Sequence, residues 1–135
     1  MDVKGAYLNS YLSEKVYMKQ PDGYDDGTRH VCQLIKTLYS LKQAGHEWNH
    51  VLDKHLKEIG FKPLYSDPCV YVRRSRGDNS DSLEIITIWV DDLLLFMSLD
   101  RLMTNLKSKL NSMFKLMDMG EPSKIVGIEI TQSEN

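Results

Sequence analysis

Cysteine is scarce in this chain. Cys32 and Cys69 are the two among 135 residues, 37 positions apart and without a CxxC pair. That leaves no basis for a disulfide scaffold or a cysteine-built zinc site, and reduced thiols in an intracellular protein are expected. An excess of positive charge is lacking too: 17 Lys and Arg face 19 Asp and Glu, for a net charge of −2. The chain therefore has no global basic field of the kind that draws nucleic acid, and any such contact has to be local. Arg73, Arg74 and Arg76, with Lys107, Lys109 and Lys115, are the local groups available, and a solvated face explains them equally well. No apolar run approaches the roughly 20 residues of a membrane span, and the start lacks a basic-then-apolar signal pattern, so no membrane partner is expected. Histidine offers no metal pattern. His46 and His50 stand at i, i+4 on a predicted helix, but no HExxH arrangement or second pair accompanies them, and they read as surface residues.

What remains is enough for one domain over residues 1–135, with no second domain, and a 41% hydrophobic content supplies its core. Leu41, Ala44, Trp48, Val51, Leu52, Leu56 and Ile59 recur at helical spacing and predict a helix closed by Gly60. Ser40 and Gln43 have the form of a capping box at its start. A second helix is predicted from Leu99 to Phe114, its methionines serving as core filler. Strands are expected at Val16–Lys19, His30–Ile35, Cys69–Arg73, Ile85–Val90, Leu93–Met97 and Lys124–Thr131, with loops at Gln20–Thr28 and Gly77–Ser82.

Asp91-Asp92 is the most informative pair. It interrupts the apolar runs Ile85–Val90 and Leu93–Met97, which together are too long for one strand and so read as two strands folded about an Asp-Asp turn. Adjacent carboxylates repel and titrate upward unless cations neutralise them, and hard oxygen ligands suit Mg²⁺. A plain β-turn explains the same pair, so the two residues alone leave both readings open.

Other segments extend the pattern: Asp2-Val3-Lys4-Gly5-Ala6-Tyr7-Leu8; Leu38-Tyr39-Ser40-Leu41-Lys42-Gln43-Ala44 running on to Trp48; and Trp89-Val90-Asp91-Asp92-Leu93-Leu94. With them stand Val16-Tyr17-Met18-Lys19-Gln20-Pro21, Asp67-Pro68-Cys69-Val70-Tyr71, Met119-Gly120-Glu121 and Gly127-Ile128-Glu129-Ile130. In this order and over nearly the whole chain, they resemble the polymerase domain of copia-type (Ty1/copia) retrotransposon polyproteins, which are RNA-directed DNA polymerases. Three departures are present. Trp89 replaces the usual tyrosine, Gly45-His46 stands where Pro-Arg is common, and Ser123-Lys124 displaces a lysine by one position. None removes an acidic residue.

The resemblance implies an α+β fold, a palm-like split βαβ antiparallel sheet with two helices, truncated at the N-terminus because the first strand would end near Asp2. It implies a metal site of Asp2, Asp91 and Asp92 holding two Mg²⁺ ions, with Mn²⁺ as a substitute, and the Val3 carbonyl completing one shell. Asp91 is favoured over Asp92 as direct ligand, since alternation along a strand sends the two to different sides. Tyr7 would pack under the incoming sugar, and Lys42 and Gln43 would lie beside the nucleotide, though a capping role competes for Gln43 and a core role for Tyr7. Gly120 and Gly127 would help position the primer terminus, a Gly-containing strand allowing close backbone approach. The implied partners are an RNA or DNA template with its primer, dNTPs, and the remaining polymerase segments, integrase and RNase H of a parent polyprotein. The implied setting is the cytoplasm, within a virus-like particle. With most of the central strand absent, the isolated chain is expected to be poorly stable and inactive. A non-catalytic remnant or domesticated nucleic-acid-binding module of the same family is the alternative.

Overall fold

Ala44, Trp48, Leu52 and Leu56 recur every fourth residue, which places them on one stripe of a helix, and all four are buried. That helix, α1 (Ala44–Glu58), ends where Gly60 takes φ 93°. The Phe61 N–H donates to the Leu56 carbonyl at 3.0 Å and the Gly60 N–H to that of Lys57 at 3.0 Å, a Schellman closure that needs a left-handed residue between. In a computed structural model, which describes residues 1–76 and 81–131, α1 lies among β1 (Asp2–Val3), a 3-10 turn (Ala6–Asn9), β2 (Tyr11–Met18), β3 (Cys32–Lys36), β4 (Lys62–Pro63), β5 (Val70–Arg76), β6 (Asp81–Trp89), β7 (Asp92–Met97), α2 (Asp100–Met113), β8 (Leu116–Met117), β9 (Lys124–Ile125) and β10 (Ile128–Glu129).

Six strands form one antiparallel sheet in the order β4-β5-β6-β7-β1-β8, and the fold is α+β with two helices. Alternation decides its faces. Ile86, Ile88 and Leu93, with Val3 of β1, meet Trp48, Leu52 and Leu56 of α1 and Leu106 and Leu110 of α2 in one apolar core. The intervening side chains, among them Leu83, Trp89 and Phe96, lie on the opposite face and are exposed. No helix among the described residues is long and apolar enough to cross a membrane.

Several expectations are corrected. Ser40 and Gln43 form no capping box: Ser40 has φ 74°, and Gln43 itself is the N-cap, with no side-chain capping bond. Tight turns at Leu38–Leu41 and Leu41–Ala44 consume the residues that the apolar stripe suggested as helix. Lys124–Thr131 is not one strand but the hairpin β9–β10, because Val126 (φ 49°) and Gly127 (φ 81°) form a two-residue turn of the primed kind. β8 is a strand that the sequence did not predict, and β2–β3 form a separate two-stranded sheet. The loop expected at Gly77–Ser82 lies at 77–80 outside the described residues, while Asp81 and Ser82 open β6. Cys32 and Cys69 are free, and His46 and His50 are exposed.

Arg73 is not a free cation for a ligand. Its guanidinium makes two bonds to the Glu84 carboxylate, at 2.6 and 3.0 Å, and a third to the Ile59 carbonyl at 2.6 Å, tying the end of α1 to the sheet. Lys107 is likewise paired, with Asp118 at 2.7 Å. Arg74, Lys109 and Lys115 are exposed, and the Arg76 side chain lies outside the described residues.

A second strut joins α1 to β5: the Tyr71 hydroxyl donates to Asp53 at 2.8 Å, and Lys57 donates to the other carboxylate oxygen at 2.8 Å. Burial works against the charged Asp53, but the bonds from Lys57 and Tyr71 outweigh it and hold its carboxyl below the ordinary 3.8. Burial, then the Asp53 bond, pushes the Tyr71 phenol above its ordinary 10.0. A depressed carboxyl stabilises the fold above its unfolded value and loses that contribution as pH falls through the folded one; a raised phenol contributes below its unfolded value and loses it as pH rises. Urea unfolding across pH should therefore show a flatter acid limb for Asp53→Asn below about pH 4 and a flatter alkaline limb for Tyr71→Phe above about pH 10.

Candidate active site

Asp2 and Asp92 are register partners in the antiparallel pair β1–β7. The bonds on either side, Val3 N–H to the Asp91 carbonyl at 2.8 Å and Leu93 N–H to the Met1 carbonyl at 2.8 Å, bracket the two residues without joining them. Asp2–Asp92 is thus a non-hydrogen-bonded pair, the narrow kind with Cα atoms about 4.5 Å apart and side chains closest together. Their neighbours Val3 and Leu93 are each 1% exposed in the core, so both carboxylates point to the face away from the helices. The same register sets Trp89 beyond Asp92 and Met117 beyond Asp2, giving a cross-strand row Trp89, Asp92, Asp2, Met117.

The turn is displaced by one residue from the expected Asp-Asp position. Trp89 pairs with Asp92, so the loop is Val90-Asp91 and Asp92 already belongs to β7. Val90 adopts φ 56°. For a β-branched side chain that conformation costs on the order of 1–3 kcal/mol and persists only where surroundings impose it. Two groups do so here: the Trp48 indole N–H donates to the Val90 carbonyl at 2.6 Å, and Val3 holds the Asp91 carbonyl. Asp91 therefore sits at a tethered tip, while the carboxylate directly across from Asp2 is that of Asp92.

Among the described residues no three acidic, His or Cys side chains gather into a ready-made ligand set. The arrangement fits a hard divalent cation through the oxygens of Asp2 and Asp92, two like charges placed side by side with no cationic side chain hydrogen-bonded to either, with Asp91 one residue away along the chain.

Tyr7 lies in the 3-10 turn, half-buried against the core, with its ring centroid 4.7 Å from that of Tyr39 and the planes at 56°. It also lines a cavity of about 180 Å³ with Trp48, Cys69, Ile88 and Val90. Its carbonyl is fixed by the Ser10 N–H and hydroxyl and by the Thr37 hydroxyl. Tyr39, which no helical or strand pattern singled out, and Trp48, which the apolar stripe marked only as core, both lie beside the candidate site. Burial, then the charges of Asp91, Tyr7 and Asp2, raise the Tyr39 phenol above its ordinary value. Tyr39 and Trp48 both lay inside the Leu38–Trp48 segment, where the only signal of a site role was an aromatic next to a motif.

Lys42 is exposed and Gln43 half-buried at the start of α1, and with the capping box gone the Gln43 side chain is not held by that role. Gly120 (φ 72°) borders an open groove of about 1000 Å³ along the sheet's outer face, shared with Asp92, Leu94, Phe96 and Lys124. Gly127 occupies the β9–β10 turn, where its positive φ, rather than a close approach within a strand, accounts for glycine.

A family model described as reverse transcriptase (RNA-dependent DNA polymerase) matches residues 1–135. The chain is 38% identical over 134 residues to the retrovirus-related Pol polyprotein from transposon TNT 1-94 of Nicotiana tabacum, covering 98% of this chain and 10% of that protein. It is 34% identical over 137 residues to the putative transposon Ty5-1 protein of Saccharomyces cerevisiae, covering 100% and 43%. It is 37% identical over 131 residues to the retrovirus-related Pol polyprotein from transposon RE1 of Arabidopsis thaliana, covering 96% and 9%. The chain thus spans less than half the length of these relatives. No solved structure matches.

Proposed function

The chain belongs to the copia-type reverse transcriptase family, and from that premise we propose that it is the palm region of an RNA-directed DNA polymerase that joins a primer 3′-oxygen to a dNTP. The observation that carries the proposal is the narrow Asp2–Asp92 pair on the open face of the sheet, with Asp91 tethered beside it. A palm is supported by the succession β1, α1, β6, β7, α2, β8, whose strands stand in the order β6-β7-β1-β8 with β4 and β5 added at one edge.

In this reading Asp2, Asp91 and Asp92, with the Val3 carbonyl, would hold two Mg²⁺ ions, or Mn²⁺ in their place. The chemistry such ions would supply is positive charge against the attacking and leaving oxygens. The chain's own groups orient the reactants: Tyr7, backed by Tyr39, forms the floor under the sugar, Lys42 and Gln43 flank the nucleotide, and the Gly120 and Gly127 segment borders the groove that seats primer and template. The partners are template, primer, dNTPs and the other segments of a polyprotein, and the setting is a cytoplasmic particle.

Primer extension tests this, with the chain joined to the flanking polymerase segments that its longer relatives carry. On an RNA template with a DNA primer, dNTPs and Mg²⁺, the primer should lengthen. Tyr7→Ala should raise ribonucleotide use relative to deoxyribonucleotide, because removal of the ring opens space for a 2′-hydroxyl. A core tyrosine would instead cost roughly 3–5 kcal/mol of stability on truncation and lower both incorporations together. An unchanged ratio per folded enzyme returns Tyr7 to the core.

A further inference from the structure

Both peptide planes that flank the Asp91 Cα are pinned from outside the hairpin. The Val90 carbonyl, in the plane before Asp91, accepts from the Trp48 indole N–H at 2.6 Å; the Asp91 carbonyl, in the plane after it, accepts from the Val3 N–H at 2.8 Å. Because each peptide is rigid and planar, fixing the two planes fixes the φ and ψ of Asp91, and with them the direction of its Cα–Cβ bond. The donor on the helix side is itself buried. Trp48 is 2% exposed, and its ring stands edge-on to Phe114 at 5.1 Å and 75°. The residue it grips is the one that most needs gripping, since Val90 is β-branched and sits at φ 56°.

We propose that Trp48 is a positioning residue: its indole N–H locks the Val90–Asp91 peptide plane, and so the direction in which Asp91 presents its carboxylate beside Asp2 and Asp92. The purpose of this lock rests on the polymerase reading, whereas its geometry does not. Glycine at position 90 would hold a positive φ unaided, and the lock would then be dispensable.

The test is NMR, with Mn²⁺ as probe, on the chain joined to the same flanking segments as in the extension assay and on three variants of it. In the wild type a through-hydrogen-bond coupling should join the Trp48 indole nitrogen to the Val90 carbonyl carbon, and its N–H should exchange far more slowly than that of Trp89, which is 57% exposed. Trp48→Phe keeps a ring against Phe114 and deletes the donor. Its amide shifts should move at Val3, Val90, Asp91 and Asp92, and broadening of the Asp2 and Asp92 amides should need about 10-fold more Mn²⁺, the usual scale for loss of a group that orients a ligand. Adding Val90→Gly to Trp48→Phe should restore most of that sensitivity, and Val90→Gly alone should change it little. Absent coupling, unmoved turn amides, or a double variant that recovers nothing overturns the proposal. If Trp48→Phe unfolds, rescue of folding by Val90→Gly supports the lock, and failure of rescue overturns it in favour of core packing. A wild type that Mn²⁺ does not broaden counts against the polymerase reading, while the coupling and the amide shifts still decide the lock.

Discussion

Asp2→Asn, Asp91→Asn and Asp92→Asn are each expected to lower primer extension by about a thousandfold or more, since loss of a metal carboxylate removes several kcal/mol of transition-state stabilisation. The same substitutions should leave the fold intact. Asp2 and Asp92 are like charges at a narrow cross-strand position, and neutralising either should stabilise the metal-free chain, by roughly 0.2–1 kcal/mol on the scale of opposed cross-strand pairs. Activity and stability thus move in opposite directions, a signature that a structural aspartate would not give. Primer extension and thermal unfolding of the same preparations read the two effects. Extension at wild-type rate by any one of the three variants removes that residue from the metal site.

The largest stability effect is expected at Arg73 and Glu84. Glu84 is fully buried and Arg73 is 18% exposed, with bonds of 2.6 and 3.0 Å between them. Taking the guanidinium away from the buried Glu84 carboxylate removes its bidentate partner, so Arg73→Met should cost about 3–5 kcal/mol. Glu84→Leu should cost a similar amount, because it strands the guanidinium. The double variant should recover most of the loss, since well-packed apolar groups replace a buried pair at little net cost. It should still fall short of wild type by about 1 kcal/mol, because Arg73 also donates to the Ile59 carbonyl at the end of α1. Urea unfolding of the two single variants and the double checks this; additive losses would mean that the two charges act independently.

Much of this architecture was legible in the chain. The stripe through Trp48, Leu52 and Leu56 is a local signal that marked a buried face correctly, and the apolar runs Ile85–Val90 and Leu93–Met97 marked two strands, though not which of their faces is buried. The strand at Lys124–Thr131 was misread because Val126 carries no turn signal: valine is a strand residue by propensity, and only its φ of 49° beside Gly127 breaks the run. The capping box failed for a related reason. Ser40 and Gln43 have the right spacing, but the turns at Leu38–Ala44 delay the helix, and turn placement depends on what packs against them. Arg73 was a plausible surface cation by composition until Glu84, 11 residues away across a hairpin, proved to be its partner.

The family was determined by the sequence itself, and the proposed site residues rest on the same ground, because motifs are strings and the acidic positions Asp2, Asp91 and Asp92 keep their order whatever the fold does. Which carboxylate faces which was decided only by the tertiary structure. Side chains on a strand alternate, so a shift of one residue in the register exchanges the two faces, and nothing local to Asp91-Asp92 specifies that register. It is specified by Val3 and Leu93 entering the core and by Trp48 reaching the Val90 carbonyl from a helix 42 residues away, contacts that exist only once the chain has folded.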